Sequence, residues 1–84
     1  MCENEKILSC EISYLPLDNN TNEYIDQILD LIKNSGIEHT IGPFRTKLTG
    51  SIDPIMNLVK HLYIKADSLS NFVIDIRFSN ICGI

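Results

Sequence analysis

The Gly42-Pro43 pair near the middle of this 84-residue chain limits its fold more than any other feature. Proline has no N–H to give a sheet ladder, and glycine relaxes the backbone just before it. The pair therefore predicts a chain reversal rather than a continuous strand. Short segments flank it. Residues 37–41 alternate Ile37, His39 and Ile41 with Glu38 and Thr40. Residues 45–49 follow the bend, with Gly50 read as the strand breaker.

Beyond each short strand the hydrophobic period changes from two to that of a helix. Before it, Tyr24, Ile25, Ile28, Leu29 and Ile32 share one helical face, and Glu23, Asp26, Gln27, Asp30 and Lys33 take the other. Asn20 with Glu23 resembles a capping box, although Thr21 offers a second cap, and Gly36 supplies a left-handed stop. After Gly50, Asp53-Pro54 reads as a helix start, Asp53 capping and Pro54 first in the helix. Ile55, Leu58, Val59, Leu62 and Ala66 form that helix's apolar stripe. Outer strands close the pattern. Residues 6–15 place Leu8, Cys10, Ile12 and Tyr14 on one face until Pro16 ends the run. Residues 72–78 alternate Phe72, Ile74, Ile76 and Phe78 with Val73, Asp75 and Arg77.

The order is βαββαβ. Every helix has one apolar stripe and every strand one apolar face, so the economical packing is two helices on one side of a four-stranded antiparallel sheet. This is an α+β, ferredoxin-like sandwich. It occupies one domain over residues 1–84, with the first strand between the third and fourth. Its other face lacks helices, and strand parity puts Ser9, Glu11, Ser13, Glu38, Thr40, Lys47, Thr49, Val73, Asp75 and Arg77 there. Glu11 is expected beside Lys47 or Thr49 on one side and Asp75 or Arg77 on the other. Such a face is either a solvated layer of charge pairs or a self-association surface, and the residues leave both open.

Composition removes several classes of function. No apolar run approaches the roughly 18 residues needed to span a bilayer. The first residues are acidic where a secretory signal is basic, so the expected location is cytoplasmic, and the Asn19-Asn20-Thr21 acceptor pattern carries no meaning. Seven basic residues, scattered in a chain of net charge −4, give no concentrated basic face for nucleic acid. Cys2, Cys10 and Cys82 are odd in number and lack metal or redox spacing. Cys10 falls in the apolar phase of its strand.

No catalytic set emerges. His39 and His61 stand on different elements and read as a packed and a half-exposed histidine. No His-x-x-x-His or carboxylate cluster suggests a metal. The serines lack a glycine elbow, and Gly42 and Gly50 are too sparse for a phosphate loop. The expectation is a protein without catalytic residues, metal or cofactor.

Short motifs then carry a resemblance. Ser13-Tyr14-Leu15-Pro16-Leu17, Tyr24-Ile25, Ser35-Gly36, Gly42-Pro43-Phe44-Arg45-Thr46-Lys47-Leu48-Thr49-Gly50 and Ile55-Met56-Asn57-Leu58-Val59-Lys60 together resemble the YkoF-type thiamine/hydroxymethylpyrimidine-binding family. The likeness runs from about Glu11 to Phe78. Ser51 departs from it, standing where relatives commonly carry an acidic residue. The resemblance implies a non-enzymatic binder of thiamine or its hydroxymethylpyrimidine moiety, linked to vitamin uptake or salvage. It also implies a homodimer or homotetramer associating through the sheet.

A flat aminopyrimidine needs an apolar slot and a few polar groups at fixed angles. For such a ligand, the backbone and hydroxyls of Thr46, Thr49, Gly50 and Ser51 offer edge contacts, Phe44 or Tyr14 a stacking ring, and Glu11 or Asp75 a carboxylate for the thiazolium charge. Each has a plainer role as well. Phe44 and Tyr14 suit core packing, Glu11 and Asp75 suit pairing with Lys47 and Arg77, and Thr46 and Thr49 suit any half-buried strand. An amino-acid-type regulatory sensor and a pure assembly module stay open as alternatives.

Overall fold

The computed structural model describes residues 7–80. The expected strand start at Lys6 and the thiols of Cys2 and Cys82 lie outside the described residues. Six elements follow in the order expected: β1 Ile7–Pro16, α1 Thr21–Lys33, β2 Glu38–Ile41, β3 Thr46–Ser51, α2 Ile52–Leu69 and β4 Phe72–Ser79. All neighbouring strands are antiparallel, in the order β2-β3-β1-β4. β1 thus lies between β3 and β4, and both helices cover one face.

The core is where the two periodicities meet. Leu8, Cys10 and Ile12 of β1 and Leu48 of β3 face Ile28 and Ile32 of α1 and Ile55, Leu58, Leu62 and Ala66 of α2. Tyr14, Val59, Phe72 and Ile74 pack at its margin. The Tyr63 ring meets the Phe72 ring edge-on at 5.2 Å. Burial pushes the Cys10 thiol up to about 11, and the Glu11 carboxylate adds to that shift.

Several local details differ from expectation. β3 continues through Gly50, which pairs with Leu8, and ends at Ser51. A Cβ at Gly50 would lie 3.7 Å from both Ile37 and Ile55, an ordinary contact, so the glycine leaves room beneath two side chains without breaking the strand. α2 begins at Ile52 with Ser51 in the cap position, which puts Pro54 within the first turn, where its missing N–H costs nothing. The capping box at α1 does not form. Asn20 has φ −95° and ψ 40°, outside the extended region a side-chain cap requires, and Thr21 Oγ1 donates instead to the Asp18 carbonyl at 2.8 Å. Pro16 closes β1 from within, opposite Phe72, and the Leu17 N–H carries the ladder on to the Asn71 carbonyl. Gly36 has the expected positive φ, 77°.

Candidate functional site

The β2–β3 connection determines the shape of one end of the molecule. The Gly42 N–H donates to the Arg45 carbonyl at 2.9 Å and closes the loop around Pro43 and Phe44. A Cβ on Gly42 would come 3.0 Å from that same carbonyl oxygen, so a side chain at position 42 would require the loop backbone to give way. Phe44 stands at the tip, 85% exposed, and does not seal the core. Between this loop, β1 and α1 lies an apolar slot of about 170 Å³, walled by Ile12, Tyr14, Ile25, Ile28, Phe44 and Thr46, with Arg45 at its lining. A cavity of about 150 Å³ holds a benzene ring, so this one is sized for a single ring.

Tyr14 is the unusual member of that lining. Its hydroxyl is buried and has no hydrogen-bond partner. Burial raises its pKa above the ordinary 10.0; the Ser70 hydroxyl opposes the shift and Tyr24 adds to it. The Ser70 hydroxyl itself donates to the Asn71 carbonyl at 2.9 Å. The Tyr14 ring lies 6.2 Å from Phe72 at a tilt of 56°.

On the helix-free face a second, polar hollow of about 350 Å³ is lined by Glu11, Ser13, Arg45, Asp75, Ile76 and Arg77. Glu11 sits opposite Lys47 on β3 and Arg77 on β4. Its ion pair, however, is with Arg45, whose guanidinium donates to Glu11 Oε2 at 3.1 Å. The expected pairing with Lys47 therefore gives way to a loop residue that reaches diagonally across the strand. Arg45 is 58% exposed, so the pair contributes at most about 1 kcal/mol. Arg45 lines both the slot and the hollow, and the two adjoin at that side chain.

The residues singled out from the sequence therefore divide. Tyr14, Phe44 and Thr46 come together at the slot, Thr46 being buried. Glu11 and Asp75 come together in the hollow. Thr49, Gly50 and Ser51 line neither. Thr49 faces Ser9 and Glu38 on the open side, Gly50 lies against Ile37 and Ile55, and Ser51 precedes α2. His39 is occupied locally, its Nδ1 donating to the Ile37 carbonyl at 2.8 Å. Among the described residues no three His, Cys, Asp or Glu side chains gather as a metal site, and no helix is long and apolar enough to cross a membrane.

A larger cleft of about 390 Å³ opens between α2 and β4, with Tyr63, Asp67, Ser70, Phe72, Ile74 and Ile76 in its walls. α2 meets β3, β1 and β4, and Tyr63 against Phe72 forms part of the cleft wall. Val59 and Tyr63, four apart, mark this second apolar edge of α2 in the sequence.

A ferredoxin-like plait with a ring-sized slot at its hairpin end has the frame of a small-molecule-binding domain. Within that class the chain belongs to the family described as thiamine-binding protein, whose model matches residues 10–78. It is 30% identical over 43 residues to a UPF0045 protein of Clostridium perfringens, a match that spans 51% of this chain and 45% of that relative. Its fold is similar to that of a candidate thiamine biosynthesis/salvage protein from Thermotoga maritima. The TM-score is 0.82 at 24% identity, over 92% of this chain and 86% of that one. A Streptococcus pneumoniae protein gives TM-score 0.82 at 22% identity, over 87% and 84%.

Proposed function

We propose that the chain is a cytoplasmic, non-enzymatic domain that binds thiamine or its hydroxymethylpyrimidine moiety, in vitamin uptake or salvage. One observation carries the reading: an apolar slot sized for one ring, lined in part by Tyr14, a residue whose buried hydroxyl has no partner, in a chain of a thiamine-binding family. The pyrimidine enters the slot between Tyr14 and Phe44, with Thr46 at its edge. Its heteroatoms give the Tyr14 hydroxyl the partner it lacks. The thiazolium ring of thiamine continues past Arg45 toward Glu11 and Asp75, whose carboxylates offset its charge. Thr49, Gly50 and Ser51 belong to the strand that carries Thr46. The whole chain acts as one domain.

Calorimetry with thiamine and with hydroxymethylpyrimidine tests this. Glu11→Gln with Asp75→Asn is expected to weaken thiamine several-fold and to leave the uncharged pyrimidine within about twofold. Equal losses for both ligands, or no binding of either by the parent chain, would overturn the assignment. The hollow itself favours one other reading. With Glu11, Asp75, Arg45 and Arg77 it offers both signs of charge to a zwitterion, so amino acids belong in the same titration.

A further inference from the structure

The cations carried by the sheet and its hairpin all stand on the helix-free face. Lys47 of β3 and Arg77 of β4 are the cross-strand neighbours of Glu11, so the three form one row with Glu11 at its centre. Asp75 lies in the next row, opposite Ser13. Arg45 reaches in from the β2–β3 loop and takes the Glu11 carboxylate at 3.1 Å. Among the described residues Arg77 and Asp75 make no ion pair or hydrogen bond, although both line the polar hollow. The hollow thus holds two carboxylates against two guanidiniums, and one group of each sign is uncommitted.

This balance decides which ligand the hollow suits. Thiamine carries a single positive charge, on the thiazolium ring. Beside Glu11 that charge competes with Arg45 for one carboxylate and also faces Arg77, so a cation alone meets as much repulsion as attraction. A phosphate on the same molecule reverses the situation. A phosphate monoester carries roughly −1.5 to −2 at pH 7 and offers three acceptor oxygens, which guanidinium groups bind through paired hydrogen bonds. The thiazolium then takes the carboxylates and the phosphate takes the guanidiniums, so that no charge lining the hollow is left unmatched.

We propose that the ligand of this site is a phosphate ester of thiamine, with its thiazolium between Glu11 and Asp75 and its phosphate on Arg77. Arg45 exchanges Glu11 for the phosphate as the thiazolium arrives, and the Ser13 hydroxyl in the same lining adds a donor. The inference rests on the slot and the hollow being the thiamine site. It adds an anion to the ligand and gives Arg77 the part of a specificity-determining residue.

Calorimetry of the whole chain with thiamine and with thiamine monophosphate tests it. The monophosphate is expected to bind about tenfold tighter, as one partly exposed charge-assisted contact allows. Arg77→Gln should bring the two ligands within about twofold of each other and leave thiamine no weaker than in the parent, because a positive charge is removed from around the cation. Arg77→Lys keeps the charge without the paired donors and should hold an intermediate preference. Arg77 is exposed, so neither variant is expected to disturb folding, and circular dichroism checks this. Lys47→Gln removes the same charge from the same face but outside the hollow's lining, and should keep the preference. Equal affinity of the parent for thiamine and its monophosphate would overturn the phosphate seat and leave the thiamine reading standing. An equal loss of preference in Lys47→Gln would also overturn it, since general attraction to the face would then suffice. Binding of neither thiamine, its monophosphate nor hydroxymethylpyrimidine would overturn both readings together.

Discussion

Replacing Tyr14 by phenylalanine should stabilise the protein and weaken its ligand. The Tyr14 hydroxyl is buried and unpartnered, while its ring packs beside Phe72 and the β1–α1 core. Burying a hydroxyl without a hydrogen bond costs about 1–3 kcal/mol, and phenylalanine keeps the ring contacts while removing that cost. The lower end of that range applies, because Tyr14 as a residue is only partly buried. The net gain should therefore be about 1 kcal/mol. With a urea m-value near 1 kcal/mol/M for a domain of this size, the midpoint should rise by about 1 M. The chain has no tryptophan, so far-ultraviolet circular dichroism is the suitable probe. A second signature follows from titration. Because the folded pKa is raised, the folded state holds the phenolic proton more tightly than the unfolded chain does. Stability from this group is complete below the ordinary value of 10.0 and is lost as pH climbs through the folded pKa. The variant should lack that alkaline loss. A midpoint that falls near neutral pH would show that the hydroxyl is bonded in solution and would refute the reasoning. A more stable variant that binds thiamine as well as the parent would instead remove Tyr14 from the site.

Two further perturbations read the fold directly. Cys10, raised from 9.0 to about 11 by burial and then by Glu11, should contribute about 2–3 kcal/mol that is present below pH 9 and lost between pH 9 and about 11. Cys10→Ala should flatten that part of a stability–pH curve, and an unchanged slope would locate the alkaline loss elsewhere. Two glycines should respond oppositely to alanine. Gly36→Ala should cost about 1 kcal/mol, because φ is 77° and the surrounding space is open, so only backbone strain counts. Gly50→Ala should gain up to about 1 kcal/mol, since its methyl would meet Ile37 and Ile55 at normal distance. A loss at Gly50 in thermal melts would show that β3 needs the glycine for its backbone.

The order of elements and the strand topology were legible because hydrophobic period separates them cleanly. Leu8, Cys10 and Ile12 against Ser9, Glu11 and Ser13 cannot be mistaken for a helix, nor Ile55, Leu58, Leu62 and Ala66 for a strand. Element ends were less legible because one residue type serves several purposes. Gly50 reads as a breaker, yet it stays in the strand and leaves space for isoleucine side chains. The candidate site was legible as a set of residues but not as a place. Parity assigned Thr46 and Tyr14 to one face and Glu11 and Asp75 to the other. No period predicts that Arg45, leaving a loop, turns back to Glu11 and joins the two surfaces. The α2–β4 cleft was missed because it depends on how far α2 leans toward β3.

The Gly42-Pro43 pair ties the candidate site to the edge of the sheet. Proline at position 43 stops the β2–β3 ladder at Ile41 and Thr46, so Phe44 stays outside and Arg45 is free to cross β1. The same stop keeps β2 short and unattractive to a further strand. The other outer strand has no such device, and β4 pairs with β1 along its full length. The hairpin that shapes the slot therefore also ends the short edge of the sheet.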